Sequence, residues 1–405
     1  MLENPSLTKS EKLVSDLCKK SFLKLWVHPN PIGKKGKELC DLLVVCGDHV
    51  IIFSVKEVEY KDTGTESGIN RWIKAAIDKS VSQIYGAERW LKSSNEVLRH
   101  DERRVSLPPK NRRTYHRIAV ALGSNEEVPM KWGDFDKGFV YVCDEKGLDA
   151  LFESLDTITD FVEFLKCTEA LMLNDQISFL FNGGGLQDLI GIYLMNGNSF
   201  EHMINHFQGP TSIIVEGDIW SSFVVSEEYQ QRKKMTENSY HWDRLIDYYA
   251  EDLLTDGMFD MHSKEVTKNE LALVAMALQP RGDRANLAEC LLSFLIQETK
   301  VACRVVTGYN NTAFIFLSGS SDDRENRAAE LIARCMIIRK KLVDFHTIIG
   351  IATDRPKSSK VGYSSDIAYL HIPEWDNDLE ATTLKLEQDT GYFKEATFKK
   401  ISFDS

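Results

Sequence analysis

Residues 33–60, GKKGKELCDLLVVCGDHVIIFSVKEVEY, hold two apolar runs split by Gly47-Asp48. Short Val/Ile-rich runs around a Gly-Asp pair predict a β-hairpin, with strands over about 38–46 and 50–58 and a tight turn between them. Asp41 falls on the first strand, and Lys56 falls near the end of the second. Ser54 stands two residues before Lys56, and side chains at i and i+2 of a strand share a face. Lys56 follows the apolar run at 50–53, so its ammonium sits at the margin of a core. A lysine there is costly unless it meets an anion or performs a function.

The elements around the hairpin can be read outward from it. Residues 8–26 space Leu13, Leu17, Phe22 and Leu25 near a helical period, and Thr8 with Glu11 forms a capping box. Residues 70–92 place Ile73, Ile77, Val81 and Ile84 on one helix face. A polar, basic loop leads to strands at 117–122 and 138–143, and helices at about 146–154 and 158–172 close the unit. Beyond 172 the pattern is α+β. Strands are expected at 212–217, 223–226 and 347–354, with a hairpin over 302–319. Helices are expected at 240–256, 268–278, 284–298 and 324–343, followed by a polar tail after 372 that wraps the surface. A domain boundary is placed at 168/169.

Charge divides the chain in the same sense. The 405 residues carry 49 Lys+Arg and 61 Asp+Glu, a net of −12. Residues 1–120 hold 22 basic and 15 acidic side chains (net +7), which leaves 27 and 46 (net −19) for the remainder. Such asymmetry suits a polyanion partner for the first part only; two differently solvated surfaces are the plainer alternative. No run approaches the roughly 18 apolar residues of a membrane span. The first residues, MLENPSLTKSEK, lack an apolar signal core. Eight cysteines without a CxxC pair suit small core residues of a reducing compartment, so the expected location is cytoplasmic and off the membrane. His202 and His206 lack the glutamate of a zinc-protease pattern, and NGGG at 182–185 lacks the Lys-Ser/Thr of a phosphate loop.

Asp41 before the turn, Ser-Val-Lys at 54–56, Glu11 in the preceding helix and Lys79 with Gln83 in the following one together resemble the PD-(D/E)xK nuclease superfamily, over about residues 8–145. The resemblance implies an α/β fold: a restriction-endonuclease-like αβββαβ core, with a mixed central sheet flanked by helices, over residues 1–168. An acidic α+β domain over 169–405 would serve regulation, homodimerisation or partner binding. It implies Asp41 as metal ligand with Glu11 assisting, Mg (or Mn) as cofactor, and Lys56 as the catalytic cation. The Val55 carbonyl would complete the metal shell, and Gln83 would support the site. Ser54 stands where the family has an acid. It could hold metal through a water, Glu57 could reach in from a bulge, or the site could have lost its metal. Glu11 likewise has a competing role as the capping-box acid.

Phosphodiester hydrolysis needs these parts: a divalent ion to polarise phosphate and acidify water, and a cation to position the attacking water. The expected substrate is nucleic acid, DNA before RNA. Lys34, Lys35, Lys79, Arg103, Arg104, Arg112 and Arg113 are its candidate contacts, since residues 99–117 alone carry seven Lys/Arg. The expected activity is a Mg-dependent endonuclease, in restriction or phage defence by analogy with the superfamily. The rivals are a catalytically degenerate nuclease fold that binds nucleic acid or protein, and an α/β protein unrelated to nucleases.

Overall fold

The computed structural model describes residues 7–61, 66–125, 128, 131–206, 209–255, 268–296, 303–319, 324–354 and 365–394. The chain is mixed α/β and divides into two compact units: Met1–Lys234 with Glu251–Lys264, and Met235–Ala250 with Glu265–Ser405. The expected boundary at 168/169 therefore lies inside the first unit. The segment after it packs back onto the helices before it, as Tyr193 and Phe200 do against Phe164.

The first unit opens with α1 (Lys9–Phe22), begun by the Thr8–Glu11 capping box, then β1 (Val27–Pro29), β2 (Leu42–Cys46) and β3 (His49–Glu57). Next come α2 (Glu66–Ile73), a π-helical turn (Lys74–Asp78), α3 (Lys79–Ser93), β4 (Glu96–Leu98) and β5 (Arg104–Ser106). They are followed by β6 (Thr114–Leu122), β7 (Gly133–Asp134), β8 (Phe139–Cys143), α4 (Glu145–Ser154) and α5 (Ile158–Met172). Six strands form one mixed sheet in the order β1-β2-β3-β6-β8-β7. β2 and β3 are antiparallel, paired from Leu42↔Phe53 to Cys46↔His49, and Gly47 (φ 57°) supplies the positive φ of their two-residue turn. β3 pairs with β6 in parallel, which requires a crossover, and α2–α3 provide it.

Alternation along β3 fills two cores. Val50 and Ile52, with Leu43 and Val45 of β2, face Trp72, Ile77, Val81 and Ile84 of the crossover helices. On the other face Phe53 meets Phe161 of α5, which also packs against Phe22 of α1 and Phe152 of α4. The sheet is thus covered on both sides, as parallel pairing demands.

The unit continues with β9 (Ile177–Asn182), α6 (Leu186–Met195), α7 (Glu201–His206), β10 (Thr211–Glu216), α8 (Ile219–Val224) and α9 (Glu227–Thr236). β9 and β10 form a parallel pair. NGGG is the turn between β9 and α6. A Cβ at Gly184 would stand 2.4 Å from the Val215 carbonyl oxygen, so close backbone approach requires glycine there. The expected strand at 223–226 is instead the end of α8 and a turn, with Phe223 buried against Tyr229. His202 and His206 lie on α7, but their side chains fall outside the described residues.

The second unit draws on α10 (Ser239–Thr255), α11 (Lys268–Ala277), α12 (Arg281–Ile296), β11 (Cys303–Thr307), β12 (Thr312–Gly319), α13 (Arg324–Lys341), β13 (Thr347–Asp354), β14 (Ser365–His371) and α14 (Asn377–Thr390). Its four-stranded sheet runs β11-β12-β13-β14, with β12 and β13 parallel across α13. Leu331, Cys335 and Ile338 of α13 cover one face. The polar tail after 372 contains α14, N-capped by Asp376 and ended by Gly391 at φ 70°.

Phe161 is fully buried against three aromatic rings. Phe161→Ala removes that packing and leaves a cavity, a loss of ~3–5 kcal/mol. Urea denaturation followed by circular dichroism should show the transition of the first unit moved to lower denaturant, with that of the second unit unmoved.

Candidate functional site

The site begins where β2 stops. Its last pair with β3 is Leu42↔Phe53, yet β3 runs on through Ser54–Glu57, paired there only with β6, from Ser54↔Ala119 to Glu57↔Leu122. On the open side a buried N–H needs an acceptor. The Val55 N–H finds one in the Asp41 carboxylate, 2.5 Å to Oδ2. The Asp41 main chain is held on its other side, where its carbonyl accepts from the Asn30 N–H (3.0 Å) just past β1.

Three side chains join Asp41. Lys56 Nζ lies 3.2 Å from Asp41 Oδ2, and Gln83 Nε2 of α3 donates to Oδ1 at 3.0 Å. The Ser54 hydroxyl is 3.2 Å from Oδ2 and 2.9 Å from Gln83 Oε1, and its single proton serves one of them at a time. Asp41, Ser54, Lys56 and Gln83 therefore converge, on the sheet face that α3 covers. The Asp41 side chain is 2% exposed and that of Lys56 is 31% exposed, so the carboxylate forms the floor and the ammonium the mouth. A π turn immediately precedes α3, the helix that carries Gln83 to the floor. Lys79, exposed and one turn earlier, lies on the same helix face. Glu57 faces away from Lys56, as alternation requires, and no bulge brings it in.

A further acid belongs to the site. Glu38, within hydrogen-bonding reach of Asp41, has its carboxyl pushed up to about 7, by desolvation first and then by Asp41 and Glu11; Lys56 opposes the shift. Its side chain is exposed. The sequence offered one signal for it, the Glu-x-x-Asp spacing before the strand, on a segment bridged to Ile32. Glu11 keeps its capping role, its Oε2 accepting from the Thr8 N–H at 2.9 Å, and it reaches the site through its field on Glu38. Among the described residues no group of three or more His, Cys, Asp or Glu side chains is arranged to hold a metal ion. Any cation here would thus rely on one or two carboxylates with main-chain oxygen and water, as Mg²⁺ commonly does.

The basic residues divide into two sets. Lys34, Lys35 and Lys37 are exposed on the turn just before Glu38, with Lys35 at φ 58°. Ile32 bridges this turn both to Glu38 and to Leu98 of β4, which brings the β4–β5 hairpin alongside. Arg103 lies 3.9 Å from Asp101 on that hairpin, and Arg104 pairs with Glu96. Arg112 instead pairs with Asp48 at the β2–β3 turn (3.0 Å), the opposite end of β3 from Lys56 and roughly 23 Å away at 3.3 Å per residue. Arg113 is turned inward. It donates to the carbonyls of Leu91 (2.6 Å), Ser94 (2.8 Å) and Pro108 (2.5 Å), and so caps the end of α3 where a phosphate contact was expected.

With this geometry in view, no protein-family model, curated protein or solved structure matches the chain.

Two buried histidines flank this sheet. His28 on β1 and His116 on β6 are each lowered to about 3, chiefly by desolvation, with Arg99 and His49 respectively as the next contributors. Their depressed folded values mean the unfolded chain binds more protons below pH ~6.5. The stability they confer is thus complete above that pH and falls as pH drops toward about 3. At pH 5 the loss is roughly 2 kcal/mol for each histidine. Glu38 works in the opposite sense between 4.5 and about 7, more weakly because it faces solvent. Thermal melts of the first unit should therefore fall steadily from pH 7 to pH 5, and His116→Gln should flatten that slope.

Proposed function

We propose that the first unit is a metal-dependent nuclease of the PD-(D/E)xK type acting on DNA. The observation that carries this reading is the convergence of Asp41, Ser54, Lys56 and Gln83 where β2 parts from β3. The order α1-β1-β2-β3-α3-β6 around a mixed sheet supports it, because that is the element order expected of a restriction-endonuclease-like core.

The donors suit a hard divalent ion. Two carboxyl groups, Asp41 and Glu38, raise one another's cost of ionising, and a divalent cation would relieve that repulsion. Asp41 and Glu38 would hold Mg²⁺ or Mn²⁺. The Val55 carbonyl would join them, since in a strand it points to the same edge as the N–H that meets Asp41. Such an ion supplies phosphate polarisation and a more acidic water. Lys56 orients the attacking water and neutralises charge at phosphorus. Gln83 and Ser54 fix the Asp41 carboxylate, and Glu38 takes the place of the acid that Ser54 lacks. Lys34, Lys35 and Lys79 at the rim receive the phosphate backbone. The second unit serves self-association or a partner protein. Among the described residues no helix is long and apolar enough to cross a membrane.

A second reading, a binding module with a degenerate site, draws on the full engagement of both Asp41 oxygens by protein donors. Cleavage of plasmid DNA with Mg²⁺ or Mn²⁺ separates the two. Lys56→Ala should lower the rate by about 100-fold or more with the fold intact. Undiminished cleavage by that variant would sink the nuclease reading, and binding without cleavage by the wild type would favour the module.

Phosphate contacts leave a salt signature. Lys34→Ala with Lys35→Ala should weaken binding to any DNA sequence alike and lower the slope of log K against log salt by about two. Fluorescence anisotropy across a salt series measures this, and an unchanged slope would move the DNA path off this turn.

A further inference from the structure

The Asp41 carboxylate is crowded on one side. Oδ2 meets the Val55 N–H, the Ser54 hydroxyl and the Lys56 ammonium, while Oδ1 meets Gln83. One carboxylate oxygen has about two lone-pair sites, so a cation joining Oδ2 must displace a donor. The Val55 N–H is fixed by the backbone. Ser54 has a second acceptor in Gln83 Oε1, 2.9 Å away, and can turn to it without loss. Lys56 sits on a flexible four-carbon stem at the mouth, 31% exposed, and can swing outward. Lys56 is thus the positive charge that balances a buried carboxylate, which would be costly unpaired.

Resting on the nuclease reading, we propose that Lys56 is a resident counter-ion whose place at Asp41 a divalent cation takes over. Cation entry and lysine release are one exchange. While paired to Asp41, the ammonium points at the floor and cannot serve a water or a phosphate. Once displaced, it stands at the mouth where a scissile phosphate would lie. Lys56 therefore weakens cation binding, and the loaded site alone has its lysine available. Catalytic lysine and cation are coupled through a shared oxygen atom.

Isothermal titration of the full chain with Mn²⁺, without nucleic acid, tests the exchange. Lys56→Met keeps the aliphatic stem, leaves Asp41 its three uncharged donors, and should bind Mn²⁺ at least 10-fold more tightly than wild type. Lys79→Met, which removes a rim charge of the same sign, should change affinity by less than 3-fold. Should Lys56→Met not fold, as judged by circular dichroism, the wild type decides alone. Acetylation of Lys56 by acetic anhydride, read by peptide mass spectrometry, should then rise several-fold on adding Mn²⁺. Equal or weaker binding by Lys56→Met, or unchanged Lys56 acetylation, overturns the exchange and leaves the nuclease reading in place. Binding of Mn²⁺ by neither wild type nor Lys56→Met overturns both.

Discussion

One main-chain N–H without a strand partner, that of Val55, organises the site. Strand β3 outruns its antiparallel neighbour, and at Val55 the missing strand is replaced by a carboxylate. Each group solves the other's problem: the N–H gains an acceptor, and a buried Asp41 gains a donor that costs no side-chain entropy. The carboxylate is thereby fixed in position and orientation. The alternation of β3 then delivers Ser54 and Lys56 to the same spot, and α3 completes the circle with Gln83. A shorter β3 or a longer β2 would leave an ordinary sheet edge in place of a pocket.

The hairpin, its turn and the shared face of Ser54 and Lys56 were legible in the sequence because strand periodicity and a Gly-Asp turn are local signals. A single helix over 70–92 was legible for the same reason, but its division into α2 and α3 by a π turn was not, since no residue type announces it. β1 spans three residues and ends in Pro29, too short to show alternation. β9 alternates between half-buried and exposed residues, but its pattern ISFLFN directly follows a helix and merges with it by composition. Residues 223–226 have the composition of a strand, and packing of Phe223 on Tyr229 holds the segment in and beyond a helix end. Glu38 was missed because its part depends on where a loop returns beside Asp41, a fact of tertiary structure. The basic residues were read as one cluster, and chain direction separates them: Arg112 and Arg113 immediately precede β6, which enters the sheet at the far end.

The second unit places its charge differently. Among its described residues, the most buried ionic groups include arginines. Arg284, fully buried, donates to Asp243 at 2.6 Å and to main-chain carbonyls, and Arg281 reaches the same aspartate at 2.7 Å. Arg327 joins Asp354 and Asp366 across β13 and β14. Losing one partner of such a group would strand a buried charge, at a cost greater than the net stability the intact group adds.

The parallel pairing of β3 with β6 also makes the pocket a mixture of short-range and long-range contacts. Asp41 and Lys56 are 15 residues apart and can meet as soon as the hairpin closes, whereas Gln83 stands 42 residues from Asp41. Its helix lies in the crossover between β3 and β6. Distant pairings form late because loop closure precedes their reward. The Asp41–Lys56 pair thus closes a short loop, and the Gln83 contact closes a much longer one.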